Sequence, residues 1–252
     1  MQRDQLDLLG VRVDPLDVPS FHQLIGSQIE RGGHVLISHV NAHCLNLAYE
    51  RPWLRTFLNS SSVTFCDGFG VILGAKILGY PLPQRITYAD WMWQLAEFAE
   101  AHDFSLFFLG ARPGIADRAA KQLQERFQRL RIFGAQHGYF SKETGHPENE
   151  SVLATINRLR PNILIVGFGM PLQERWLMEN WDRIQANIGL TGGAVFDYIS
   201  GKVPRTSSWM TEHGLEWLGR LIIEPRRLWR RYLIGNPLFI WRVMKQRFTN
   251  SG

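Results

Sequence analysis

Residues 163–184 read ILIVGFGMPLQERWLMENWDRI. Four apolar residues, Ile163 to Val166, run into Gly167 and a glycine-rich turn, and from Pro171 onward apolar positions return at helical spacing. A short apolar run rich in β-branched side chains and closed by turn residues predicts a strand buried on both faces, as central parallel strands are. Pro171 falls where a helix can begin, because the first helical position has no backbone bond to lose. The unit is strand, glycine turn, helix.

The same unit recurs on either side of it. Strand-like runs lie at 34–40, 105–109 and 188–190, with weaker ones at 63–66 and 131–134, and segments of helical period fill 42–59, 89–102, 114–128, 150–159 and 171–184. Such alternation up to about residue 195 predicts an α/β fold with a Rossmann-like, mainly parallel sheet flanked by helices. After Gly201 the composition changes to Trp, Arg and Leu, punctuated by Pro204, Pro225 and Pro237. Those prolines are expected to divide the tail into short helices at 215–223, 226–234 and 238–248. The chain thus divides into an α/β catalytic domain at 1–200 and a helical, basic appendage at 201–252.

Hydrophobic residues make up 45% and charged residues 20% of the 252, a globular composition. The first residues, MQRDQLDLLGVRVD, contain no apolar stretch of signal-peptide type, and no uncharged apolar run reaches the roughly 18 residues of a spanning helix. The expectation is a soluble or peripheral protein. Cys44 and Cys66 make no disulfide framework. A net charge of +5 and a pI near 9.5 invite nucleic acid, an anionic membrane or a phosphorylated substrate. Eight basic residues between 216 and 247 face only Glu216 and Glu224, so the excess lies in the tail. Arginine interleaved with Trp, Phe, Ile and Leu is the composition of interfacial helices on an anionic membrane surface; the plainer alternative is a solvated basic face on packed helices.

Three clusters carry chemistry. Cys66-Asp67-Gly68-Phe69-Gly70 follows an apolar run, and in open α/β sheets a carboxylate there is aimed at a ligand. Asp67 is a candidate general base, against the plainer reading of Asp-Gly as a turn. Gly167-Phe168-Gly169-Met170-Pro171-Leu172-Gln173-Glu174 offers backbone N–H groups at a helix start, a cradle for phosphate or another polar ligand. Leu172 stands where a dinucleotide fingerprint needs its third glycine, which argues against a nicotinamide or flavin oxidoreductase. Gln136-His137-Gly138-Tyr139-Phe140 offers an aromatic that can stack on a base, or a core tyrosine. His39 and His43 lack the pattern of a zinc site, and no Asp-x-Asp pair is present to clamp a metal, so no cofactor is expected. Charge on any phosphate-bearing ligand would then have to be met by Arg, Lys or helix N-termini. Two alternatives stay open: a nucleic-acid-binding module, disfavoured because the charge is confined to a Trp-rich tail, and a nucleotide-cofactor oxidoreductase.

Six segments, in order, resemble the WecG/TagA/CpsF family, glycosyltransferase family 26: FCDGFG at 65–70, RITYAD at 85–90, GYF at 138–140, VGFGMPLQERW at 166–176, GGAVFDYISG at 192–201 and GLEWLGRLIIEPRRLWRRY at 214–232. The resemblance spans about residues 35–235. It implies an inverting transfer from a UDP-sugar to a sugar on a polyprenyl diphosphate, in assembly of a cell-surface polymer such as teichoic acid. The donor sugar would be of N-acetylmannosamine, N-acetylmannosaminuronic acid or glucose type. The family's aspartate falls on Asp67, its pocket arginine and glutamine on Arg85 and Gln173, and its Thr-x-Asn step on His39-Val40-Asn41. Asn41 agrees; His39 replaces the hydroxyl residue, so either the acceptor contact has changed or His39 is a second base. Tyr139 and Asp197 resemble the uracil-side positions, beside the glycines Gly138 and Gly169. The tail arginines that close over the diphosphate map to Arg220, Arg227 and Arg230. The resemblance also implies cytoplasmic location on the inner face of the membrane, and leaves a homo-oligomer among the expected partners but no nucleic acid.

Overall fold

Leu6–Leu8 (β1) and Val11–Val13 (β2) form an antiparallel hairpin whose leucines and valines point inward. Leu9 (φ 57) and Gly10 (φ 81), both left-handed, supply the two-residue turn that matches the twist of the strands. The computed structural model describes residues 6–206, 208–212 and 214–249.

The chain continues through α1 (Val18–Glu30), β3 (Val35–Val40), α2 (Ala42–Glu50), α3 (Pro52–Ser60), β4 (Val63–Cys66), α4 (Phe69–Leu78), α5 (Tyr88–Ala101) and β5 (Ser105–Gly110). Next come α6 (Ile115–Arg126), β6 (Arg131–Gln136), α7 (Pro147–Leu159), β7 (Ile163–Gly167), α8 (Leu172–Asn180), β8 (Ile188–Thr191) and α9 (Val195–Ile199). Strands β3 to β8 form one parallel sheet in the order β4-β3-β8-β7-β5-β6. Side chains of β5 alternate between two apolar layers: Leu106 and Phe108 join Phe21, Trp91 and Leu95 on one face, while Phe107 and Leu109 join Leu45, Trp176 and Phe239 on the other. A parallel sheet with both faces covered needs strands apolar throughout, and β5 and β7 are buried at every position. At Gly110 a Cβ would lie 2.3 Å from the Gly167 carbonyl oxygen, so β5 and β7 can converge there only without a side chain.

The six expected strands are all present, within one or two residues at each end. Three helices differ from expectation, the first being α7, which starts at Pro147 and so three residues before the expected 150. The segment 42–59 is two helices, because Pro52 holds Arg51 extended (φ −124, ψ 98) and starts a new helix. Pro171 is the cap of α8 rather than its first residue, and a 3-10 turn at Trp181–Arg183 ends that segment.

The tail comprises α10 (Ser208–Glu212), α11 (Glu216–Ile223), α12 (Pro225–Trp229), a π turn at Arg230–Ile234 and α13 (Gly235–Thr249). Pro237 does not divide it: α12, the π turn and α13 run on without a break. The Gly235 N–H bonds the Arg230 carbonyl five residues back, and this wider turn just ahead of Pro237 makes room for its ring. Helix α13 shares the core of the sheet, with Phe239 and Val243 fully buried against the layer that holds Val40 and Leu45. Arg242 is buried too, its Nη1 donating to the Asn46 carbonyl (3.1 Å) and its Nη2 to Glu50 (2.6 Å). Gln246 accepts the Leu9 N–H (2.9 Å) and donates to the Asp7 carbonyl (3.0 Å), clasping the hairpin. Among the described residues no helix is long and apolar enough to cross a membrane.

Candidate active site

The loops after β3, β4, β5, β6, β7 and β8 all open at the carboxyl end of the sheet, where helices start and backbone N–H groups face outward. The chain leaves β3 toward β4 on one side and returns through β8 on the other. The β3–β8 ladder ends at Ile37–Leu190, and beyond it the side chains take over. The His39 N–H donates to Thr191 Oγ1 (3.0 Å), and the His39 ring Nδ1 lies 2.7 Å from the Thr191 carbonyl oxygen. Over this crevice, between the sheet and the tail helices, lies a cavity of about 1500 Å³. Single ligand pockets run to about 1,000 Å³, and this cleft exceeds that.

Asp67 stands at its floor, immediately after β4, its backbone N–H bonded to the Val40 carbonyl (2.8 Å) and about a fifth of its side chain exposed (21%). Gly68 follows at φ 111 and turns the chain into α4. Burial pushes the Asp67 carboxyl up to about 6, with the negative charge of Glu216 adding to the effect and Arg220, Arg231 and Arg85 opposing it. His39 lies across from it, 3% exposed, with Nε2 4.0 Å from Asp67 Oδ2. Burial pulls the His39 imidazole down to about 4; the Thr191 hydrogen bond works against this and the charge of Arg231 works with it.

The other expected residues divide into three groups. Asn41, Gly138, Tyr139, Gly169, Asp197, Arg220, Arg227 and Arg230 line the cavity. Of these, Asn41 also caps α2, its Oδ1 accepting the Cys44 N–H (3.0 Å), and Asp197 accepts Lys202 Nζ (2.7 Å). Tyr139 is 63% exposed and so presents its ring to whatever enters. Arg85 stands behind the wall, donating to Glu216 (3.2 Å), which in turn accepts from Arg205 (2.6 Å). Gln173 has no exposed surface. Its Oε1 accepts the N–H groups of Gly169 (3.2 Å) and Gly193 (3.0 Å), so it ties two loops of the cavity together rather than reaching a ligand.

Gln173 is itself held by Glu174, whose Oε1 accepts its amide at 2.8 Å while Oε2 is buried without a partner. Burial pushes the Glu174 carboxyl up to about 7, against the pull of the Gln173 hydrogen bond. A carboxyl whose folded pKa exceeds its unfolded value stabilises most when protonated, below about pH 4.5, and that contribution is lost as pH rises through about 7. The loss for this fully buried group is about 3 kcal/mol by the usual conversion. Urea melts from pH 4 to 8 should show the decline in the wild type and a shallower one in Glu174→Gln; parallel curves would remove Glu174 as its source.

Arg231 is a cavity residue beyond those expected. It lines the cavity from the π turn, its Nε is buried without a partner, and its charge bears on Asp67, His39 and His43. Burial lowers the pKa of its guanidinium, which a bound anion would reverse. Buried polar atoms without partners are rare in folded proteins. Among the described residues there are eight, and five belong to cavity residues: Thr87, Tyr88, Tyr198, Arg220 and Arg231. These unpartnered atoms gather around this cavity.

A large cleft at the carboxyl end of a parallel sheet, with Asp67 at its floor and arginines on its wall, is suited to a polar, anionic substrate. The chain belongs to the Glycosyl transferase WecG/TagA/CpsF family, whose profile matches residues 6–252, and it is a glycosyltransferase. The N-acetylglucosaminyldiphosphoundecaprenol N-acetyl-β-D-mannosaminyltransferase of Staphylococcus aureus strain NCTC 8325 / PS 47 is 25% identical over 245 residues, covering 96% of this chain and 93% of the relative. The protein of the same description from Staphylococcus aureus strain MW2 is 24% identical over the same coverage. Membership in a glycosyltransferase family replaces the nucleic-acid alternative that charge and composition left open and the oxidoreductase alternative that the glycine turns left open.

Proposed function

We propose that this glycosyltransferase moves a sugar, with inversion, from a UDP-sugar to a sugar carried on a polyprenyl diphosphate, as a step in cell-surface polymer synthesis. The observation that carries this reading is the pairing, across one cavity, of the Asp67 carboxylate with Arg220, Arg227, Arg230 and Arg231 of the tail. Asp67 takes the proton of the acceptor hydroxyl as that oxygen bonds to the anomeric carbon. The bond from that carbon to the diphosphate breaks, its electron pair passing to the UDP oxygen, where the arginines neutralise the charge. Tyr139 and Asp197 flank the uracil, while Gln173 and Arg85 brace the loops. The relatives' description favours N-acetylglucosamine on the acceptor and N-acetylmannosamine on the donor. Residues 201–252 act as the closing appendage, and the exposed Ile222, Trp229, Leu233, Ile234, Trp241 and Phe248 beside basic residues suit an anionic membrane surface on its cytoplasmic side.

A panel of UDP-sugars incubated with a short-chain polyprenyl-diphosphate N-acetylglucosamine, read as UDP release, tests the reading; release from none of them would sink it. Turnover is expected to rise with pH through about 6 as Asp67 ionises, then level off. Glu216→Gln should move that rise to lower pH, because it removes the negative charge facing Asp67 from α11 while Arg220, Arg231 and Arg85 remain. A pH–rate profile unmoved by Glu216→Gln would show that the tail carboxylate does not tune the base.

A further inference from the structure

The reactive carboxylate shares the cavity floor with an imidazole that no step above uses. Its position is fixed on every side. Nδ1 lies 2.7 Å from the Thr191 carbonyl oxygen and 2.8 Å from the Thr191 hydroxyl; the carbonyl can only accept, and an unprotonated Nδ1 at that distance would set two lone pairs against each other, so Nδ1 carries the ring proton. Tyr88 meets the ring edge-on at 5.2 Å (84°), and Phe65 packs against it at 6.1 Å. Nε2 is therefore a lone-pair acceptor, and among the described residues no hydrogen bond reaches it. It points past Gly193, where a Cβ would stand 3.5 Å away, toward Asp67 Oδ2 at 4.0 Å. Gly193, at φ +58, keeps that approach open.

Two acceptors 4.0 Å apart are too far to bond each other and cannot both take the single proton of one hydroxyl. They can take one proton each from two hydroxyl groups on neighbouring ring carbons, each donating over the ordinary length of about 2.7–2.8 Å. Resting on the transferase reading above, we propose that His39 is a specificity-determining residue: its neutral Nε2 accepts a hydrogen bond from the acceptor-sugar hydroxyl adjacent to the one that Asp67 deprotonates. The enzyme thus requires an acceptor with vicinal hydroxyls. The histidine is not a second base. Its burial and the neighbouring Arg231 charge both oppose a second proton on the ring, and the imidazole stays neutral down to about pH 4. A hydrogen-bond donor on the donor sugar could also be read by such a nitrogen, but the shared 4.0 Å spacing with Asp67 ties it to the acceptor side.

The test compares the full acceptor, short-chain polyprenyl-diphosphate N-acetylglucosamine, with a series lacking one ring hydroxyl at a time, using UDP-N-acetylmannosamine as donor. One deoxy acceptor removes the attacking group and should be inert. Removal of the neighbouring hydroxyl should lower kcat/KM by about 10- to 100-fold, because a buried acceptor is left unpaired. In His39→Leu the ratio between the full and that deoxy acceptor should collapse toward one; His39→Gln, which keeps an accepting oxygen, should retain part of it. A merely structural role would lower both rates and leave the ratio alone. Equal use of the two acceptors by the wild type overturns the proposal even if His39→Leu does not fold, as does a wild-type ratio that persists in His39→Leu. Absence of transfer to every acceptor is a different result, and counts against the transferase reading itself.

Discussion

Asp67→Asn should turn over about 10²- to 10⁴-fold more slowly than the wild type, the usual contribution of a positioned general base. Asparagine keeps the shape of the side chain and its place after β4 but cannot accept the acceptor's proton. The variant should still bind UDP, because the arginines and the glycine loops are untouched. Its melting temperature should be unchanged or higher. The Asp67 carboxyl is raised to about 6 in the fold, so above that pH its ionised form opposes folding, an effect muted by the fifth of the side chain that meets solvent. UDP release, UDP titration and a thermal melt on one preparation check all three. Turnover at the wild-type rate would remove Asp67 from the mechanism and leave the arginine wall without a base to work with.

Phe239→Ala is expected to cost about 3–5 kcal/mol in stability, the range for deleting a buried aromatic. Phe239 is 1% exposed, and its ring packs so closely on α4 that a Cβ on Gly74 would stand 2.9 Å from it. A urea melt measures the loss; less than about 1 kcal/mol would mean that α13 is laid over the core rather than built into it. The same packing bears on removal of residues 201–252. That cut deletes Phe239, Arg242 and Val243 together with the arginines, so an inactive truncation would mix a missing wall with a breached core. Single substitutions at Arg220, Arg227, Arg230 and Arg231 separate the two.

The sheet was legible because its strands announce themselves: runs such as 163–167 are too apolar for any place but a covered parallel sheet. The hairpin at 6–13 was not foreseen: three-residue strands fall below the length at which alternation makes a pattern. The continuity of the tail was hidden, since a proline signals a break and only the π turn before Pro237 cancels it. Asp67, Arg220, Arg227 and Arg230 share the cavity, as ordered motifs suggested. Arg231 was missed although it stands four residues after Arg227, one turn on along the same helix face, because the ordered motifs carried only Arg220, Arg227 and Arg230. Gln173 shows the reverse: a motif residue that serves the cavity from behind, through two glycine N–H groups.

The clasp between Gln246 and the hairpin joins positions 237 residues apart in sequence. At ribosomal speeds of about 5–20 residues per second, Leu9 emerges roughly ten to fifty seconds before its partner exists. Throughout that interval the faces of α2 and α4 that Phe239 and Val243 will cover stand bare, and the cleft lacks the wall made by α11, α12 and the π turn. The Asp67 carboxylate is thus made early and the arginines that share its cavity late. The nascent chain passes through an open-sided stage with bare apolar surface, and its core and cleft are closed only as α13 is delivered.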